Sequence, residues 1–371
     1  MSLIAFARGI PAPEMLPVAD LQAAARRAFD ADPVALLSYG TGAGWSPLRE
    51  RLAARQGVDA DRVVVTSGSL EGFALLVQVI AARASAQGRR ARVIVEQPSY
   101  DRPLLILERY GVDVVPVPLG ADGIDLDAFE AAVREGADFA YLIPTFQNPA
   151  GATLSEAGRR RVLELAREHG VPVLEDDPYG LLHFDQPAPP TMFELSGGAD
   201  GAWWSGSFSK TIAPGLRVGW MILPTELAAA VARLANDTYI SASFLGQATV
   251  DAYLDAGAFE PNVDRSRAML AERCTTITDA LREHLPEARF TAPGGGYFIW
   301  VELPDQLDAA RVAAIAGEHG VSFVAGSSFG ANCDSFARLA FSSPPMDQIE
   351  PGIAALAKAC DAVSAVGASH A

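Results

Sequence analysis

Short apolar runs that alternate with helical patterns constrain the fold of this 371-residue chain more than any other feature. The runs occupy residues 62–66, 92–96, 112–117, 139–143, 171–175, 202–205 and 218–223. After the first run, a spacing of about 3.6 residues per turn groups one helical face, formed by Leu70, Phe73, Val77 and Ile80. Apolar strands separated by helices predict a mostly parallel sheet covered on both faces. Ligands bind at the carboxyl ends of such strands, so we expect the chemistry directly after these runs.

The pattern changes at about residue 261. A long helix over residues 263–284 is followed by a strand at 296–303, a helix at 309–319, a strand at 336–342 and a final helix from Met346. This order predicts a smaller α+β domain over residues 261–371, after a large domain over residues 45–260. The segment before Gly44 is rich in proline and glycine, and we expect it to cross over to the small domain.

Charge and composition exclude several classes of protein. The net charge of -16 argues against nucleic acid as a partner, because phosphate binding needs a basic surface. No apolar run is long enough to span a bilayer, and the first ten residues lack the features of a signal peptide. Three widely spaced cysteines and five scattered histidines indicate neither a disulfide framework nor a metal site. We therefore predict a cytoplasmic protein without membrane, metal or nucleic-acid partners.

Lysine is rare in this chain, and one lysine stands at a strand end. Only Lys210 and Lys358 occur, because arginine is used almost everywhere else that a base is needed. Lys358 lies in an amphipathic helical pattern that indicates a solvated side chain. Lys210 follows small hydroxylated residues at the end of an apolar run. Lysine forms imines with carbonyl compounds and arginine does not, so Lys210 is a candidate nucleophile.

Residues around Lys210 form a predicted phosphate site. Ser207 and Ser209 can each donate a hydrogen bond, and the Arg217 guanidinium can bind two oxygens at once. A lysine beside a bound phosphate is what a Schiff-base cofactor anchored by its phosphate requires. The alternative interpretation of this segment is a Ser/Gly-rich turn with a solvent-reaching lysine.

A second anion site is predicted where the first apolar run meets a helix. Gly68, Ser69 and Leu70 open that helix, and backbone N–H groups at a helix N-terminus favour an anion. Taken alone, the segment is more typical of an ordinary N-cap. Together with Ser207 and Arg217 it becomes the other half of a phosphate cup.

Two further segments place polar groups after strands. Asp176 could keep a pyridine nitrogen protonated, which makes the ring of pyridoxal phosphate an electron sink. Tyr179, three residues later, could reach a phenolic oxygen of the same ring. Asn148 lies in an irregular loop that Pro149 and Gly151 shape, where it could donate to a ring oxygen. The alternatives are acidic residues that cap a helix and a plain Asn-Pro turn.

These four segments together resemble the class I and II aminotransferases of pyridoxal-phosphate (PLP) fold type I. The most specific stretch is Ser-Phe-Ser-Lys-x-x-x-Pro-Gly-Leu-Arg-Val-Gly at residues 207–219. The subgroup that includes 2-aminoadipate, kynurenine and multiple-substrate aminotransferases is the most similar. The resemblance begins near Phe6 and ends in the last helix. It implies an α/β fold with a mostly parallel seven-stranded sheet in the large domain, a smaller α+β domain, and pyridoxal 5'-phosphate as cofactor.

The resemblance also implies roles for single residues. Lys210 would form the internal aldimine and move the proton between the substrate Cα and C4′ of the cofactor. Asp176 would pair with the pyridinium nitrogen, while Tyr179 and Asn148 would bond the O3′ oxygen. Tyr100 matches the aromatic residue that stacks on the ring. The phosphate would be held by Gly68, Ser69, Leu70, Ser207, Ser209 and Arg217.

Substrate and subunit contacts follow from the same resemblance. Arg338, with Asn148, would grip the α-carboxylate of the substrate, because an arginine fork suits a carboxylate. The segment from Tyr39 to Gly44 resembles one that enters the neighbouring subunit's site. The resemblance therefore implies a homodimer with shared active sites, in which residues 1–44 pack with the small domain and with the partner.

The chain departs from its relatives at three points. Leu70 stands where the relatives usually carry glutamine, so one polar contact near the phosphate is absent. Ala325 stands where they usually carry proline before a glycine. The chain also begins late relative to them, which predicts a short N-terminal segment over the pocket. The last two departures concern substrate specificity and not cofactor binding.

The implied function is transfer of an amino group from an amino acid to a 2-oxo acid, in a ping-pong cycle through pyridoxamine phosphate. The same residues would also support elimination, cyclisation or oxidation of amino acids, because they bind the cofactor and not the leaving group. A ligand-sensing domain of a transcription regulator is a third alternative, although such regulators carry a basic helix-turn-helix domain in front. The donor and acceptor stay open. Candidates for the pocket wall are apolar or aromatic: Phe6, Ile10, Tyr297 and Phe329.

Overall fold

The computed structural model describes residues 3–184 and 186–368. Its strands are β1 Ile4–Ala5, β2 Val63–Thr66, β3 Arg92–Gln97, β4 Asp113–Gly120, β5 Gly123–Ile124, β6 Phe139–Leu142, β7 Val173–Asp177, β8 Ala202–Ser207, β9 Gly219–Ile222, β10 Arg289–Phe290, β11 Phe298–Glu302, β12 Val321–Ser322, β13 Val324–Ala325 and β14 Phe336–Ala340. Its α-helices are α1 Val18–Ala31, α2 Pro33–Leu37, α3 Ser46–Gln56, α4 Ser69–Ala86, α5 Asp101–Arg109, α6 Leu126–Arg134, α7 Glu156–Glu168, α8 Met192–Leu195, α9 Thr225–Tyr239, α10 Phe244–Asp255, α11 Phe259–His284, α12 Ala309–Ala316 and α13 Ile349–Ala368.

The large sheet has eight strands in the order β2-β9-β8-β7-β6-β3-β4-β5. Pairing is parallel from β8 through β4, and antiparallel for β9 and for β5. All seven predicted strands occur. The predicted number of strands was nevertheless wrong, because the short edge strand β5 makes the sheet eight-stranded. That strand pairs only Gly123 and Ile124 with the end of β4, which is too short to produce a periodic pattern.

Helix α4 joins this sheet to the predicted anion site. Gly68 is its N-cap with φ 86° and ψ 156°, a conformation that is open almost only to glycine. By length and composition alone, α4 is long and apolar enough to cross a membrane. The prediction that the chain has no apolar run of that length was therefore wrong. The helix packs on the sheet instead, with Phe73, Leu76 and Val77 buried in the same cluster as Val95 of β3.

A second sheet, in the order β10-β11-β14-β13, is antiparallel and packs with α11, α12 and α13. The N-terminal segment lies against this unit, because β1 pairs in parallel with β12 and Phe6 accepts a backbone hydrogen bond from Ala340. Helix α11 begins four residues before its predicted start, since Pro261 falls in its first turn, where no N–H donor is needed. The domain boundaries at residues 45 and 261 stay a prediction.

Candidate active site

The ends of β6, β7 and β8 open on a cavity of about 550 Å³. Twelve of the predicted residues line it: Gly68, Ser69, Leu70, Tyr100, Asn148, Asp176, Tyr179, Ser207, Ser209, Lys210, Arg217 and Arg338. Tyr39 does not, and its side chain is 86% exposed on the surface. Tyr39 is predicted to contact the active site of a partner subunit, and this contact stays a prediction. A larger cavity of about 1040 Å³, lined in part by Phe146, contains none of these residues.

Lys210 follows β8 and reaches into the cavity. Its Nζ donates a hydrogen bond of 2.5 Å to the Gly9 carbonyl, and its own carbonyl accepts one of 2.7 Å from the Tyr297 hydroxyl. Burial, with a smaller contribution from the nearby Arg338 and Arg217 charges, lowers the pKa of Lys210 to about 8. A lysine with such a pKa supplies free amine near neutral pH, as a nucleophile must.

Asp176, near the end of β7, is anchored on one side only. Its Oδ2 accepts a hydrogen bond of 2.8 Å from the Tyr141 hydroxyl. Its Oδ1 is buried and has no hydrogen-bond partner among the described residues. Burial raises the pKa of this carboxyl to about 6. A buried carboxylate oxygen without a donor is costly, so this atom indicates the place of a ligand donor.

An anion cup forms where the segment before α4 meets the turn before β9. Arg217 donates to the Ser67 carbonyl at 3.0 Å, and it adopts a left-handed φ of 53°. A Cβ at Gly68 would lie 2.5 Å from Arg217 Nη2, so only glycine allows this approach. Ser207 Oγ accepts a bond of 3.1 Å from the Ser209 backbone. Hydroxyl groups, a helix N-terminus and a guanidinium thus surround one space.

Arg338 of β14 also lines the cavity. It donates to Asn148 Oδ1 at 3.1 Å and to the Ala7 carbonyl at 2.7 Å. Its Cζ lies 4.4 Å from the centroid of the Phe298 ring and 5.0 Å from that of Phe329. Its Nε is buried without a partner in the described part of the chain. This guanidinium therefore keeps a donor for an incoming carboxylate.

Three of the four suggested pocket-wall residues do not line the cavity. Phe6 is fully buried in the core of the second unit, where the absent side chain of Gly352 leaves room for its ring. Ile10 is 38% exposed and does not line the cavity. Phe329 does line the cavity. Tyr297 does not, although its hydroxyl donates a hydrogen bond to the Lys210 carbonyl.

Sequence reasoning missed several contributors. Tyr141, which orients Asp176, lies within an apolar central strand, where an aromatic residue is typical of a sheet core. Gly9 and Ala7 contribute only carbonyls, which leave no trace in side-chain patterns. The Tyr141 hydroxyl, near the end of an otherwise apolar strand, was the one available signal.

A family model described as aminotransferase class I and II matches residues 8–356. The chain belongs to this family. The matched residues include every residue that lines the cavity except Ala7.

Known aminotransferases are similar to this chain over nearly its whole length. It is 34% identical over 363 residues to the 2-aminoadipate transaminase of Thermus thermophilus, across 96% of this chain and 90% of the relative. The structure of an α-aminoadipate aminotransferase from the same species, complexed with N-(5'-phosphopyridoxyl)-L-leucine, superposes with TM-score 0.91 at 32% identity, over 98% of this chain and 93% of the other. Kynurenine aminotransferase of Pyrococcus horikoshii gives TM-score 0.91 at 31% identity, over 98% and 91%.

These findings confirm the predicted fold type I, the enzyme class and the cofactor, pyridoxal phosphate. The residues of the cavity fit that cofactor. Asp176 Oδ1 offers an acceptor for a protonated ring nitrogen, and the cup around Arg217 offers donors for a phosphate. Lys210 Nζ lies in the same cavity. Among residues 3–184 and 186–368, no cluster of three potential metal ligands is found.

Proposed function

We propose that Lys210 binds the cofactor covalently and that the enzyme passes an amino group from an amino acid to a 2-oxo acid in two half-reactions. The observation that carries this proposal is that Lys210, Asp176 and Arg338 face one cavity. Pyridoxal phosphate, when bound, supplies an aldehyde that condenses with amines and a ring that withdraws electrons from the substrate Cα. The three side chains then have separate tasks.

Lys210 supplies the amine and later moves a proton. With a pKa lowered to about 8, a useful fraction of Nζ carries a free lone pair near neutral pH. An uncharged Nζ that is not joined to the cofactor could accept the proton from the substrate Cα within the same cavity. The Tyr297 hydroxyl, bonded to the Lys210 carbonyl, keeps the lysine backbone in place for both tasks.

Asp176 and Asn148 orient the ring. Tyr141 fixes Oδ2 of Asp176, so Oδ1 is left to accept from the ring nitrogen and to favour its protonated form. Asn148 Oδ1 already accepts from Arg338, so its Nδ2 is the group left to donate to the ring oxygen. Tyr179 would donate to the same oxygen, and Tyr100 would stack on the ring. The cup of Gly68, Ser69, Leu70, Ser207, Ser209 and Arg217 would hold the phosphate.

Arg338 binds the substrate α-carboxylate. Its position between the Phe298 and Phe329 rings removes it from bulk water, which strengthens a charge-assisted hydrogen bond. Holding the carboxylate there fixes which bond of Cα stands perpendicular to the ring. The first donors to test are 2-aminoadipate, kynurenine and leucine, because similar proteins are named for these compounds or bind them.

The test is a set of single turnovers followed by absorbance. The purified enzyme should be yellow, should bleach with a true donor, and should recover when 2-oxoglutarate or pyruvate is added. Lys210→Ala should lose the wild-type absorbance of the covalently bound cofactor. Product release without any oxo acid would instead indicate elimination, cyclisation or oxidation. A wild-type protein that holds no cofactor would contradict the proposal.

We also propose a homodimer in which Tyr39 enters the partner's site. Exposed apolar side chains support it, since Val34 and Leu37 are each 73% exposed and Tyr39 is 86% exposed. This segment lies against residues 240–245, because the Gly40 backbone donates to Ser241 Oγ at 3.1 Å. Contiguous exposed apolar surface is typical of a subunit interface.

We propose a reducing compartment, the cytoplasm, as the place of action. All three cysteines are buried as free thiols, and burial raises the pKa of Cys274 and of Cys360 to about 12. Thiols in this state are weak nucleophiles and play no part in the mechanism.

A further inference from the structure

We infer that Glu96 is a positioning residue for substrate binding: through Gln147 it fixes Asn148, and Asn148 sets the orientation in which Arg338 meets the substrate carboxylate. This inference rests on the proposed role of Arg338. Residues 144–154, between β6 and α7, form the Asn148 loop.

Glu96 is a buried carboxyl group that accepts hydrogen bonds from two N–H donors and has the Asp176 carboxylate as a charged neighbour. It lies near the end of β3 and is 2% exposed. Its Oε2 accepts from the Ile143 backbone at 3.0 Å and from Gln147 Nε2 at 3.2 Å. No basic side chain in the described ranges forms an ion pair with it, and burial raises its pKa to about 7. Burial of a carboxyl group without a cation costs free energy, so the hydrogen bonds from its two donors are needed to offset that cost.

Gln147 connects this carboxylate to the whole Asn148 loop. Besides the bond to Glu96, its Nε2 donates to the Pro98 carbonyl at 2.9 Å, and its Oε1 accepts from the Ala150 backbone at 2.8 Å. Both amide hydrogens and the amide oxygen are therefore used. The Gln147 backbone also bonds Ala152 at 2.9 Å and Gly151 at 2.6 Å. Most hydrogen bonds of the middle of the loop thus involve Gln147, which is 1% exposed, and one more joins the Phe146 backbone to Thr153 Oγ1 at 3.1 Å.

The ends of the loop are held by a different residue. Arg159 is fully buried and donates to the Pro144 carbonyl at 3.1 Å and to the Leu154 carbonyl at 2.9 Å. Because Arg159 fixes both ends, loss of the Glu96–Gln147 bond would move the middle of the loop and leave its ends in place. Asn148 lies in that middle.

A shift of Asn148 would change the orientation of Arg338, because the two side chains are hydrogen-bonded. Its Oδ1 accepts from Arg338 Nη1 at 3.1 Å, and the two residues are both buried. Apart from Asn148, Arg338 bonds only the Ala7 carbonyl through its guanidinium, among the residues that the structure describes. If Asn148 shifts, Nη1 loses its acceptor and the guanidinium is free to rotate about the Ala7 bond. Substrate affinity would then fall. Asn148 Nδ2 would also shift from its proposed place beside the ring oxygen, but Lys210 and Asp176 would keep their places, so we expect the larger effect on KM.

The experiment compares Glu96→Ala with Glu96→Gln in the cofactor-loaded enzyme. The glutamine keeps an acceptor oxygen for Ile143 and Gln147, so KM for the amino donor should stay within about twofold of wild type. The alanine removes the acceptor, so KM should rise about tenfold, equivalent to ~1.4 kcal/mol, with kcat changed less than about threefold. Rescue by glutamine separates positioning from a general loss of packing.

Gln147→Met provides a second route if Glu96→Ala fails to fold. It preserves the volume of the side chain and removes its hydrogen bonds, so it should raise KM as Glu96→Ala does. The double variant should be no worse than either single variant, because both break one chain of contacts. The matched control is Asp138→Ala. Asp138 accepts from the Arg92 backbone at 2.8 Å at the opposite end of the same strand, so its loss should leave KM unchanged.

An unchanged KM in a folded, cofactor-loaded Glu96→Ala or Gln147→Met enzyme would overturn the inference. Arg338→Lys distinguishes this failure from failure of the proposed function. If Arg338→Lys raises KM and the Glu96 variants do not, only the positioning role of Glu96 is wrong. If Arg338→Lys also leaves KM unchanged, the proposed carboxylate contact is wrong.

Discussion

Burial moves the two central ionisable groups of the site toward neutrality from opposite sides. It raises the pKa of the Asp176 carboxyl to about 6 and lowers the pKa of the Lys210 amine to about 8. Both shifts have the same cause, since burial disfavours whichever form is charged. The cavity therefore holds a lysine that can act as an amine and a carboxylate that still carries its charge near neutral pH. A bound cation beside Asp176 would lower that pKa again.

The rarity of lysine makes the Lys210 prediction directly measurable. In the apoenzyme, brief acetylation with acetic anhydride should label Lys210 with a pH midpoint near 8, because only the uncharged amine reacts. The extent of labelling should be low below that pH, should rise through it, and should level off above it. Peptide mass spectrometry reads this residue separately from exposed Lys358, which serves as the internal comparison. A Lys210 midpoint above about 10, the ordinary value for lysine, would contradict the shift.

At the scale of elements, the site depends on the loops and turns at the carboxyl ends of the strands. The sequence predicts the seven long strands and the start of α4, because apolar runs and an N-terminal turn leave clear patterns. It also predicts that Lys210 and Asp176 lie near each other, since the ends of neighbouring parallel strands meet. It does not predict β5, whose two residues carry no period, nor the contacts of Gln147 and Arg159 with the Asn148 loop. Those contacts depend on three-dimensional packing between segments that no local pattern relates.

Arg159 is the element-scale contact with the largest expected effect on stability. Arg159→Met leaves Glu175 buried opposite no cation, where Arg159 Nη1 now lies 3.1 Å from Oε1. Breaking a buried pair in this way costs about 3–5 kcal/mol, so the midpoint of urea unfolding should fall sharply.

The neighbouring residue is the control for that experiment. Arg160→Met removes an exposed pair with Glu156 on the same helix, which is worth less than about 1 kcal/mol. Equal losses of unfolding free energy in the two variants would show that burial of the Arg159 pair does not matter.

At the scale of the whole molecule, the N-terminal segment connects the two sheets at the site. Strand β1 pairs with β12 of the second unit, while the Gly9 carbonyl accepts from Lys210 of the first. The Ala7 carbonyl accepts from Arg338 between them. The crossing of this segment was predicted from its composition, whereas its carbonyl contacts were not, because every residue has a carbonyl. A short segment thus touches both the residue proposed for the cofactor and the residue proposed for the substrate.

The proposed dimer gives a prediction at this scale. Leu37→Asp places a charge in the exposed apolar surface next to Tyr39, so it should shift the protein toward monomer in light scattering and lower its activity at low concentration. Leu105→Asp, at a leucine that is 50% exposed on α5, is the matched control and should leave both unchanged. A wild-type protein that is monomeric at every concentration would contradict the dimer.

The two lysines differ in exposure, and this has a practical consequence for handling the enzyme. Lys358 is exposed on α13 and lines none of the site, whereas Lys210 is enclosed in the cavity that takes the cofactor. Of the two lysines, Lys358 should therefore be the one at which an amine-reactive resin or dye couples to the loaded enzyme, because the cofactor protects Lys210. Attachment through lysine would then be directed to one position on the molecule, without any engineered tag.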